Sequence, residues 1–419
     1  MSKKNVYLII FLVILLLGGL LYYFYSFLNS GSKIKQTTET SSPSKNLFPY
    51  GEGATGNGSR GNTGSTTSSY QTSSGPTSEL RQISIVPIAG SLVFSVGSTT
   101  KVRYTERGTG HIYETTSDNL SQTRISNTTI PKIYEALWVR PDLFVIRYLD
   151  EGEANIISYV GSIIPTKRVA TSTQFVDTIA TTINGNFLSQ NINSISASPK
   201  KDSILYFQQS STGSTATISN SDGSKKNLVF NSSFKEWLPQ WFKDDNVLLT
   251  SKASYESLGY SYILNLKTGS LTPAITKVRG LATLANPQGD RIMYSEGIQG
   301  GWKSNLYNSQ TKKSEALLLK TFPEKCTWGK KITSDLYCAN PTFSLNSAIY
   351  PDDWYKGKVH FSDDIWKLDT ITGTLTQIAP LKKLTSQDID VVNLSTDERD
   401  SYLIFTNKTD LTLWGLKIK

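Results

Sequence analysis

The sequence predicts an all-β fold, a β-propeller of four-stranded blades, because one phrase recurs along it. Each copy has a turn marked by Pro, Gly or Asp, followed by a β-rich run that ends in an aromatic residue. The clearest copies are 198–207 (SPKKDSILYF), 286–294 (NPQGDRIMY) and 394–405 (LSTDERDSYLIF). A period of about 40 to 48 residues between such units is typical of propeller blades.

A second phrase, a strand that runs into a polar turn, follows the first in each unit. Its clearest copies are 262–269 (YILNLKTG), 305–311 (NLYNSQT) and 365–373 (IWKLDTITG). Asn265 and Asn308 are 43 residues apart, and Asn308 and Asp369 are 61 residues apart. The longer spacing is the same period with an insertion of about 18 residues. We therefore predict blades near 90–130, 131–178, 190–232, 236–277, 281–320, 324–378 and 388–419.

The two ends of the repeat region are predicted to complete one blade between them. The last unit has room for only three strands, at Val391, at Tyr402 and from Leu411 onward, whereas 83–88 is a lone strand before the first unit. A blade built from both ends closes the ring and removes an open sheet edge. This arrangement predicts seven blades, with six as the alternative.

An apolar run near the start of the chain predicts a membrane anchor. Residues 6–28 are an uncharged run of 23 residues, mostly Leu, Ile, Phe and Tyr, preceded by Lys3 and Lys4. That length crosses a bilayer as one helix and exceeds the apolar core of a cleaved signal peptide. We predict a short cytoplasmic tail at 1–5, a signal anchor at 6–28 and a single-pass protein of the cell membrane. The propeller is expected on the extracytoplasmic side, although the positive charges on the two sides of the run balance.

Residues 29–79 are predicted to be a disordered linker. They are mostly Ser, Thr, Gly and Asn, with hardly a large aliphatic side chain between Gly51 and Ser78. Such a segment cannot bury enough apolar surface to offset the entropy of ordering it. We therefore expect a tether that stands the propeller, residues 80–419, off the membrane.

Two cysteines, Cys326 and Cys338, are the only ones in the chain. The short polar stretch between them is predicted to be the turn between neighbouring strands, and paired strands bring such residues within bonding reach. We predict a disulfide, which requires an oxidising compartment. Two unrelated reduced thiols, one of them buried, are the alternative.

Charge gives little information about partners. The formal net charge is +9, and it is spread along the chain without a dense block of Lys and Arg. This distribution predicts no nucleic-acid partner. A solubilising surface is the favoured interpretation, and a mild attraction to anionic wall or surface polymers is the alternative.

The sequence contains few candidate residues for a catalytic function. His111 and His360 are the only histidines, and neither has a His or Cys partner at a metal-ligand spacing. The chain also lacks the Gly-x-Ser-x-Gly nucleophile elbow of serine hydrolases. We expect no enzyme activity, no metal and no cofactor.

Four carboxylates lie close together in the sequence, at Asp352, Asp353, Asp363 and Asp364. A calcium site would need six or more oxygen ligands, and a glycosidase pair would need two carboxylates at a defined separation. The sequence shows neither arrangement. Solvated loop acids and strand caps are the favoured interpretation.

The units resemble the repeat of TolB-type and WD-like propellers, in which a Ser-Pro-Asp-Gly turn precedes an Ile-x-Phe or Ile-x-Tyr strand. The residues that carry the resemblance are Ser198, Pro199, Ile204 and Tyr206, then Pro287, Gly289, Ile292 and Tyr294, and more loosely Ser395, Asp397, Leu403 and Phe405. The resemblance is clear over residues 190–419 and weak over residues 81–180. The phrases 350–355 (YPDDWY) and 362–366 (SDDIW) also resemble those of membrane-anchored propellers in candidate-phylum bacteria. These motifs imply a fold and no particular function.

One face of the predicted propeller holds the candidate binding residues. In a four-stranded blade, loops between the second and third strands emerge on the same face as the connections between blades. The predicted loops of this kind are 252–260, 297–302 and 341–360. The candidate partner or ligand contacts that they hold are Tyr255, Trp302, Asp352, Asp353, Trp354 and Tyr355.

Two interpretations of these loop aromatics stay open. Exposed aromatics on a loop face are typical anchors for a protein partner or for stacking against sugar rings. Alternatively, Trp302 and Trp354 fold back as a satellite core that covers blade edges.

The favoured function is a non-catalytic, membrane-tethered propeller that presents one face to a protein partner, as an interaction or scaffold module of the cell envelope. The second hypothesis is a glycan-binding or cell-wall-binding module that uses Trp302, Trp354 and Tyr355. The third is a hydrolase or lactonase in the central channel, with acidic and basic residues that converge on it.

Overall fold

The computed structural model describes residues 79–150 apart from 120 and 127, then 155–165 and 181–418. The predicted tail, the predicted anchor at 6–28 and the predicted linker up to residue 78 lie outside the described residues. Among the residues that are described, no helix has the length and apolar character needed to cross a membrane.

The described strands form seven four-stranded sheets in which neighbouring strands are antiparallel, and the sheets follow one another as the blades of a propeller. The predicted fold class is therefore confirmed, and the alternative of six blades is wrong.

Six of the seven blades are built from strands that are consecutive in the chain. Blade 1 contains β2 (Ile88–Val96), β3 (Thr99–Glu106), β4 (Ile112–Thr116) and β5 (Thr123–Arg124). Blade 2 contains β6 (Ile133–Arg140), β7 (Leu143–Leu149), β8 (Ile156–Pro165) and β9 (Thr181–Phe187). Blade 3 contains β10 (Ile192–Ala197), β11 (Ser203–Gln209), β12 (Ser214–Asn220) and β13 (Asn227–Ser232).

The remaining blades include the one that joins the two ends of the array. Blade 4 contains β14 (Trp237–Lys243), β15 (Asn246–Ser251), β16 (Leu258–Asn265) and β17 (Leu271–Arg279). Blade 5 contains β18 (Thr283–Ala285), β19 (Arg291–Ile298), β20 (Gly301–Asn308) and β21 (Lys313–Ala316). Blade 6 contains β22 (Cys326–Trp328), β23 (Asp335–Pro341), β24 (Asp363–Asp369) and β25 (Leu375–Ala379). Blade 7 contains β26 (Val391–Thr396), β27 (Tyr402–Asn407), β28 (Leu413–Lys417) and β1 (Leu80–Ser84). Within the described part of the chain, three short helices lie in connections, at Pro323–Lys325, Asp352–Tyr355 and Leu381–Thr385.

The second strand of each blade forms the core of the fold. β7, β11, β15 and β27 are runs of four or more buried residues, because neighbouring blades cover both faces of these strands. A strand covered on both faces is continuously apolar instead of alternating, which is the pattern these segments show. The core is therefore divided into clusters between adjacent blades.

The first repeated phrase forms the turn between the first and second strands of a blade. In each copy a Ser, Asn or Asp side-chain oxygen accepts a hydrogen bond from the backbone N–H five residues later, which fixes the turn. The pairs are Ser198 with Ser203 (3.2 Å), Asn286 with Arg291 (3.1 Å) and Asp397 with Tyr402 (2.9 Å). Three residues after each acceptor the backbone has a positive φ, at Lys201, Gly289 and Asp400.

The second phrase forms the turn between the third and fourth strands. Here Asn265, Asn308 and Asp369 each accept hydrogen bonds from the backbone N–H groups two and three residues later. Such side-chain turns use only local groups, so the same residue types at the same spacing recur in successive blades. This local chemistry is the source of the sequence period.

Blade 7 closes the ring as predicted, with three strands from the end of the chain and one from the start of the repeat region. β1 pairs with β28, with Leu80 opposite Leu416 and Gln82 opposite Trp414. The strand itself is Leu80–Ser84, a few residues before the predicted 83–88. Arg81 reinforces the closure, because its side chain donates to the Tyr402 hydroxyl in blade 7 (3.2 Å) and to the Asn119 carbonyl in blade 1 (2.6 Å).

The strand order defines two faces. We call "upper" the face that holds the connections between blades and the loops between second and third strands, and "lower" the face that holds the other turns. Since β1 is the outermost strand of blade 7, it runs from the lower to the upper face. The chain therefore enters the propeller at the lower face, at Leu80.

The predicted disulfide is confirmed. Cys326 and Cys338 lie directly opposite each other on the paired strands β22 and β23 of blade 6, with their Cα atoms 4.1 Å apart. Both residues are buried in the cluster between blades 5 and 6. The disulfide therefore closes the hairpin that begins blade 6.

Asp400 connects the lower turns of blades 6 and 7. Its buried carboxylate accepts hydrogen bonds from the backbone N–H groups of Lys330 (2.8 Å), Lys331 (3.0 Å) and Ile332 (2.9 Å). A Cβ at Gly329 would lie 2.9 Å from the Asp400 carboxylate and 2.3 Å from the Ile332 carbonyl oxygen, so only glycine fits beside this contact. One carboxylate thus holds the neighbouring blade in place.

Replacing both cysteines, as Cys326→Ala with Cys338→Ala, is expected to lower the free energy of unfolding by about 3 kcal/mol, because the cross-link restricts the unfolded chain. Urea denaturation with and without reductant measures the change. The double variant should give the same midpoint in both buffers, while the wild type should lose stability on reduction. A wild type unaffected by reductant would contradict the stabilising role.

Asp400→Gly is expected to lower the free energy of unfolding by about 3 kcal/mol, since three backbone N–H groups lose a charged acceptor. Glycine adopts a positive φ without strain, so the loss reports the hydrogen bonds. The matched control is Lys201→Gly, at the equivalent position of blade 3, where an exposed side chain is removed. Equal losses in the two variants, measured by urea denaturation, would show that the contact between blades 6 and 7 contributes nothing.

Candidate functional site

The longest described connection on the upper face is the loop 342–362 between β23 and β24, which we call the blade 6 insertion. Its two ends are held together, because both the backbone N–H and the hydroxyl of Thr342 donate to the Ser362 carbonyl at 2.9 Å. The short helix Asp352–Tyr355 lies within it. The insertion is therefore a compact element placed on the upper face by the strand order.

The insertion reaches across several blades. Asp352 accepts hydrogen bonds from the Ser254 hydroxyl (2.8 Å) and the Tyr255 backbone N–H (2.7 Å) of blade 4. At Gly297 of blade 5, a Cβ would lie 3.0 Å from the Tyr350 carbonyl oxygen. On the other side, the Lys408 amine of blade 7 donates to the Trp354 carbonyl (2.8 Å). Contacts thus run from blade 4 to blade 7.

An aromatic cluster holds the insertion on blades 5 and 6. It consists of Trp302, Phe322, Tyr350, Trp354, Val359 and Phe361, all buried. Trp302 stacks on one side of Phe322, with ring centroids 4.6 Å apart, and Trp354 stacks on Phe322 at 5.1 Å. Such ring pairs stabilise a packed cluster beyond the area that they bury.

The structure decides between the two interpretations of the loop tryptophans. Trp302 and Trp354 are each 1% exposed, so the expectation that their rings face a partner is wrong and the satellite-core interpretation is right. The reason is the length of the insertion, which lets its helix fold back and place the indole of Trp354 at the centre of the aromatic cluster. In this conformation the rings of Trp302 and Trp354 cannot stack on a sugar.

The other candidate residues lie at the surface of the same region. Tyr355 is 38% exposed, and its hydroxyl donates to Glu324. Tyr255 is partly buried, with the Arg279 guanidinium 5.8 Å from its ring centroid. All six candidates lie on the upper face, and for Tyr255, Asp352, Asp353 and Tyr355 contact with a partner stays a prediction.

The four clustered carboxylates separate into different structural roles. Asp352 binds the blade 4 loop, and Asp364 accepts from Gln377 (2.9 Å) and from the Leu381 backbone N–H (3.1 Å). Asp353 accepts from the Ile349 backbone N–H at 2.8 Å, and this hydrogen bond, with Lys358 nearby, holds the pKa of Asp353 below its usual value. Asp363 is buried. Among the described residues, no group of three or more His, Cys, Asp or Glu side chains is arranged to hold a metal ion.

Beneath the aromatic cluster lies a buried ionic cluster of Lys325, Asp363 and Asp390, each with a side chain that is 0% exposed. The Lys325 amine lies 2.6 Å from Asp363 Oδ2 and 2.6 Å from Asp390 Oδ1. It also lies 5.1 Å from the ring centroids of both Trp354 and Phe361. The lysine thus sits in a cage of two carboxylates and two aromatic rings.

The two carboxylates of this cluster have different surroundings. Asp390 accepts from the Trp354 indole N–H, at 2.9 Å from Oδ2, and from the Phe361 backbone N–H at 3.2 Å. Asp363 Oδ2 accepts from the Val391 backbone N–H at 2.7 Å, whereas its Oδ1 is buried and has no hydrogen-bond partner. Burial raises the pKa of Asp363 to about 6, against the opposing effect of Lys325.

Glu324, next to Lys325, has a similar environment. It is partly buried, and one oxygen accepts from the Tyr355 hydroxyl while Oε2 is buried without a hydrogen-bond partner. Burial raises the pKa of Glu324 above its ordinary value. The tyrosine of the insertion therefore rests on a carboxyl group that is penalised when ionised.

Sequence reasoning did not find Lys325, Asp390 or Glu324. Lys325 and Asp390 are 65 residues apart and belong to different blades, so no local motif connects them. The sequence around Lys325 offers no signal that separates it from a lysine on the surface. The histidines form no comparable site, since His111 contacts Thr129 (3.2 Å) and His360 lies 4.0 Å from Asp390.

Exposed apolar side chains are distributed unevenly between the faces. Of the nineteen large hydrophobic residues that are exposed in the described part of the chain, thirteen lie on the upper face or at upper strand ends. They are Ile85, Val86, Leu149, Phe187, Phe234, Leu238, Leu258, Leu318, Phe343, Leu345, Ile349, Tyr355 and Leu384. The other six are Val96, Ile164, Leu228, Leu271, Ile332 and Ile371, at the lower face. Four of the thirteen belong to the blade 6 insertion.

Glu324→Gln is expected to stabilise the protein more at high pH than at low pH. Because burial raises the folded-state pKa of Glu324, the wild type loses stability as pH rises through that pKa, whereas glutamine does not titrate. Glutamine still offers an oxygen to the Tyr355 hydroxyl. Urea denaturation between about pH 4 and pH 8 measures the difference. A constant difference between the two proteins across this range would contradict the raised pKa.

Comparison with known proteins finds no match in sequence and several similar solved structures. No protein-family model and no curated protein matches the sequence. Similar solved structures include TolB from Acinetobacter baumannii, with 12% identity over 66% of this chain and 63% of that chain and a TM-score of 0.42. The β-propeller domain of the Trilobed protease from Pyrococcus furiosus has 10% identity over 66% of this chain and 78% of its own, with a TM-score of 0.43.

A further similar structure is an oligogalacturonate lyase in complex with manganese, with 10% identity over 80% of this chain and 97% of that chain and a TM-score of 0.46. The matched region spans less than two thirds of the TolB chain. These likenesses concern the fold alone. The structural neighbours of this seven-bladed propeller thus include TolB and other propeller proteins, as the repeat predicted.

Proposed function

We propose that this protein is a non-catalytic, membrane-tethered propeller that binds a protein partner of the cell envelope through its upper face, on the extracytoplasmic side. The observation that carries this proposal is the distribution of exposed apolar side chains, thirteen of nineteen on the upper side among the described residues. Exposed apolar surface that is concentrated on one face is typical of an interaction site.

The blade 6 insertion is the centre of the proposed surface. Phe343, Leu345, Ile349 and Tyr355 are all exposed on it. The aromatic cluster below and the contacts with blades 4 and 7 hold it in one conformation, so little entropy is lost when a partner binds. A rigid scaffold that presents apolar loop residues is a common design for protein recognition.

The entry point of the chain fits this proposal. β1 begins at the lower face, opposite the insertion. A tether that enters there leaves the upper face free, so attachment at one end and binding at the other do not compete.

The closed state of the ionic cluster supports a non-catalytic role. Lys325, Asp363 and Asp390 meet on the upper side of blades 6 and 7, and their side chains are 0% exposed. A general acid or base has to come within hydrogen-bond reach of its substrate. In this conformation the insertion separates these groups from any substrate.

Glycan binding is the second candidate, and a different site favours it. A cavity of about 480 Å³ lies on the upper side between blades 2 and 3, away from the insertion. Its lining is mostly amide and hydroxyl side chains, contributed by Asn155, Ile156, Asn191, Ile192, Asn193, Gln209, Ser210 and Ser211. Amides and hydroxyls are the groups that hydrogen-bond neutral polar ligands such as sugars.

The test compares matched apolar substitutions on the two faces. Phe343→Ser with Ile349→Ser removes two side chains of the insertion that are 49% and 44% exposed, and Ile371→Ser removes a lower-face side chain that is 71% exposed. The full-length chain in detergent is used to capture partners from solubilised envelope, with insoluble wall polymer assayed in parallel. We expect the insertion variant to lose retention of a protein partner at least about tenfold, as for interface anchor residues. The Ile371→Ser control should retain it.

Three results would contradict this proposal. Equal capture by the insertion variant and the control would place the interface elsewhere. Retention on wall polymer without a protein partner would favour the glycan candidate. Turnover of a substrate by the wild type would contradict the non-catalytic role.

A further inference from the structure

The ionic cluster places one ammonium group against two carboxylates, whereas an ion pair needs only one. The Lys325 amine touches two carboxylates at 2.6 Å, and all three side chains are fully removed from water. Taking such charges out of water carries a large desolvation penalty, which mutual attraction recovers only with complete hydrogen bonding. The Lys325 amine has three acceptors, because the Val391 carbonyl oxygen also lies 3.0 Å from it, whereas Asp363 Oδ1 has no hydrogen-bond partner in this buried site. The Asp363 carboxylate is therefore incompletely compensated as an ion.

We propose that Lys325 and Asp363 are joined by an amide bond, which the folded protein forms by itself, and that Asp390 moves the proton during this reaction. The bond links the residue directly before β22 to the first residue of β24 in the same blade. It would close the segment 325–363, which contains the insertion, into a covalent loop. The bond fixes the base of the insertion on blade 6.

The site contains the amine, the carboxyl group and a proton acceptor, Asp390, which would carry protons from the amine to Oδ1 of Asp363. Asp390 Oδ1, 2.6 Å from the Lys325 amine, accepts a proton from the ammonium, and the neutral amine attacks Cγ of Asp363. A C–N bond forms, the bond between Cγ and Oδ1 breaks, and Oδ1 leaves as water with the two protons that the amine loses. An ammonium and a carboxylate thus become an amide and one water molecule, with no oxidation or reduction.

The hydrogen bonds assign a role to each oxygen of Asp363. Oδ2 accepts from the Val391 backbone N–H at 2.7 Å, so this donor stabilises the negative charge that develops on Oδ2 in the tetrahedral intermediate. Oδ1 has no hydrogen-bond partner and is the oxygen that leaves. Burial raises the pKa of Asp363 to about 6, which favours the protonated acid from which a hydroxyl can depart.

The surroundings of Asp390 favour its role as the proton acceptor instead of as the group that the amine attacks. The Trp354 indole N–H lies 2.9 Å from its Oδ2, and the Phe361 backbone N–H lies 3.2 Å from the same oxygen. Asp390 Oδ1 lies 2.6 Å from the Lys325 amine, where it is placed to accept a proton.

The aromatic rings supply the conditions for the reaction. Trp354 and Phe361 flank the amine and exclude water, which otherwise solvates the ammonium and hydrolyses the intermediate. Two reacting groups held in contact gain an effective concentration of about 10⁵ M or more relative to free reactants. Burial and proximity together favour the amide.

Peptide mass spectrometry of the full-length protein tests the bond. After reduction, alkylation and trypsin digestion, an unmodified Lys325 is cleaved, whereas an amide at Lys325 blocks cleavage. We expect peptide 321–330 joined to peptide 359–367, lighter than their sum by one water. Free peptides 321–325 and 359–367 at their unmodified masses would overturn the proposal. A link from Lys325 to the peptide that contains Asp390 would overturn the assignment to Asp363.

Variants of the carboxylates give a second readout. Asp363→Asn should still form the bond, with ammonia in place of water as the leaving group, and the linked peptide should have the same mass as in the wild type. Asp363→Ala should give only separate peptides. Asp364→Asn is the matched control, because this neighbouring carboxylate contacts Gln377 and Leu381 instead of Lys325, and it should keep the link. A full yield of linked peptide from Asp390→Asn would overturn the role of Asp390.

Discussion

The pairing of β1 with β28 is the interaction on which the rest of the structure depends. In a repeat array each blade buries its apolar face only against its neighbours, so an open array leaves two uncovered faces. The pairing of Leu80 with Leu416 and of Gln82 with Trp414 turns the array into a ring, and Arg81 extends the tie to blade 1. The inter-blade clusters can then be complete in every blade, including the cluster that contains both Leu80 and Phe405.

A closed ring also makes the upper face available as a platform. Since the ring fixes the distances between blades, a long loop from one blade can be held by several others. The insertion uses this fixed spacing, with Asp352 bound to blade 4 and the Trp354 carbonyl bound by Lys408 of blade 7. Trp354 and Phe361 of the insertion are buried in this packing, whereas Phe343 and Ile349 stay exposed. The residues that hold the surface in place and the residues that form it are therefore different.

Features with a strong sequence signal could be predicted, whereas the packing of the insertion could not. Blade number, ring closure and the disulfide could be predicted because their signals are local: turn acceptors such as Asn286 and Asp397 bind backbone groups five residues away, and Cys326 and Cys338 lie across one hairpin. The insertion was visible as an interruption of the period. Its packing was not, since the loop position of Trp354 does not reveal whether the indole faces solvent or the aromatic cluster.

The ionic cluster was hidden for a related reason. Lys325 ends a short helix, Asp363 begins β24 and Asp390 directly precedes β26, and the packing of blades 6 and 7 brings them together. Nothing near Lys325 in sequence distinguishes it from a lysine on the surface. A buried cluster of this kind is recognised from burial and hydrogen bonding, which are properties of the folded state alone.

The ionic cluster and β1 both contact blade 7. Val391, which donates to Asp363, begins the innermost strand of that blade directly after Asp390, and β1 is the outermost strand. A chain of contacts therefore leads from the base of the insertion through the cluster to blade 7 and across its paired strands to β1. In a tethered protein that binds a partner through the insertion, this is the path that has to resist force. A covalent bond between Lys325 and Asp363 would strengthen the step in it at which the insertion is joined to the ring.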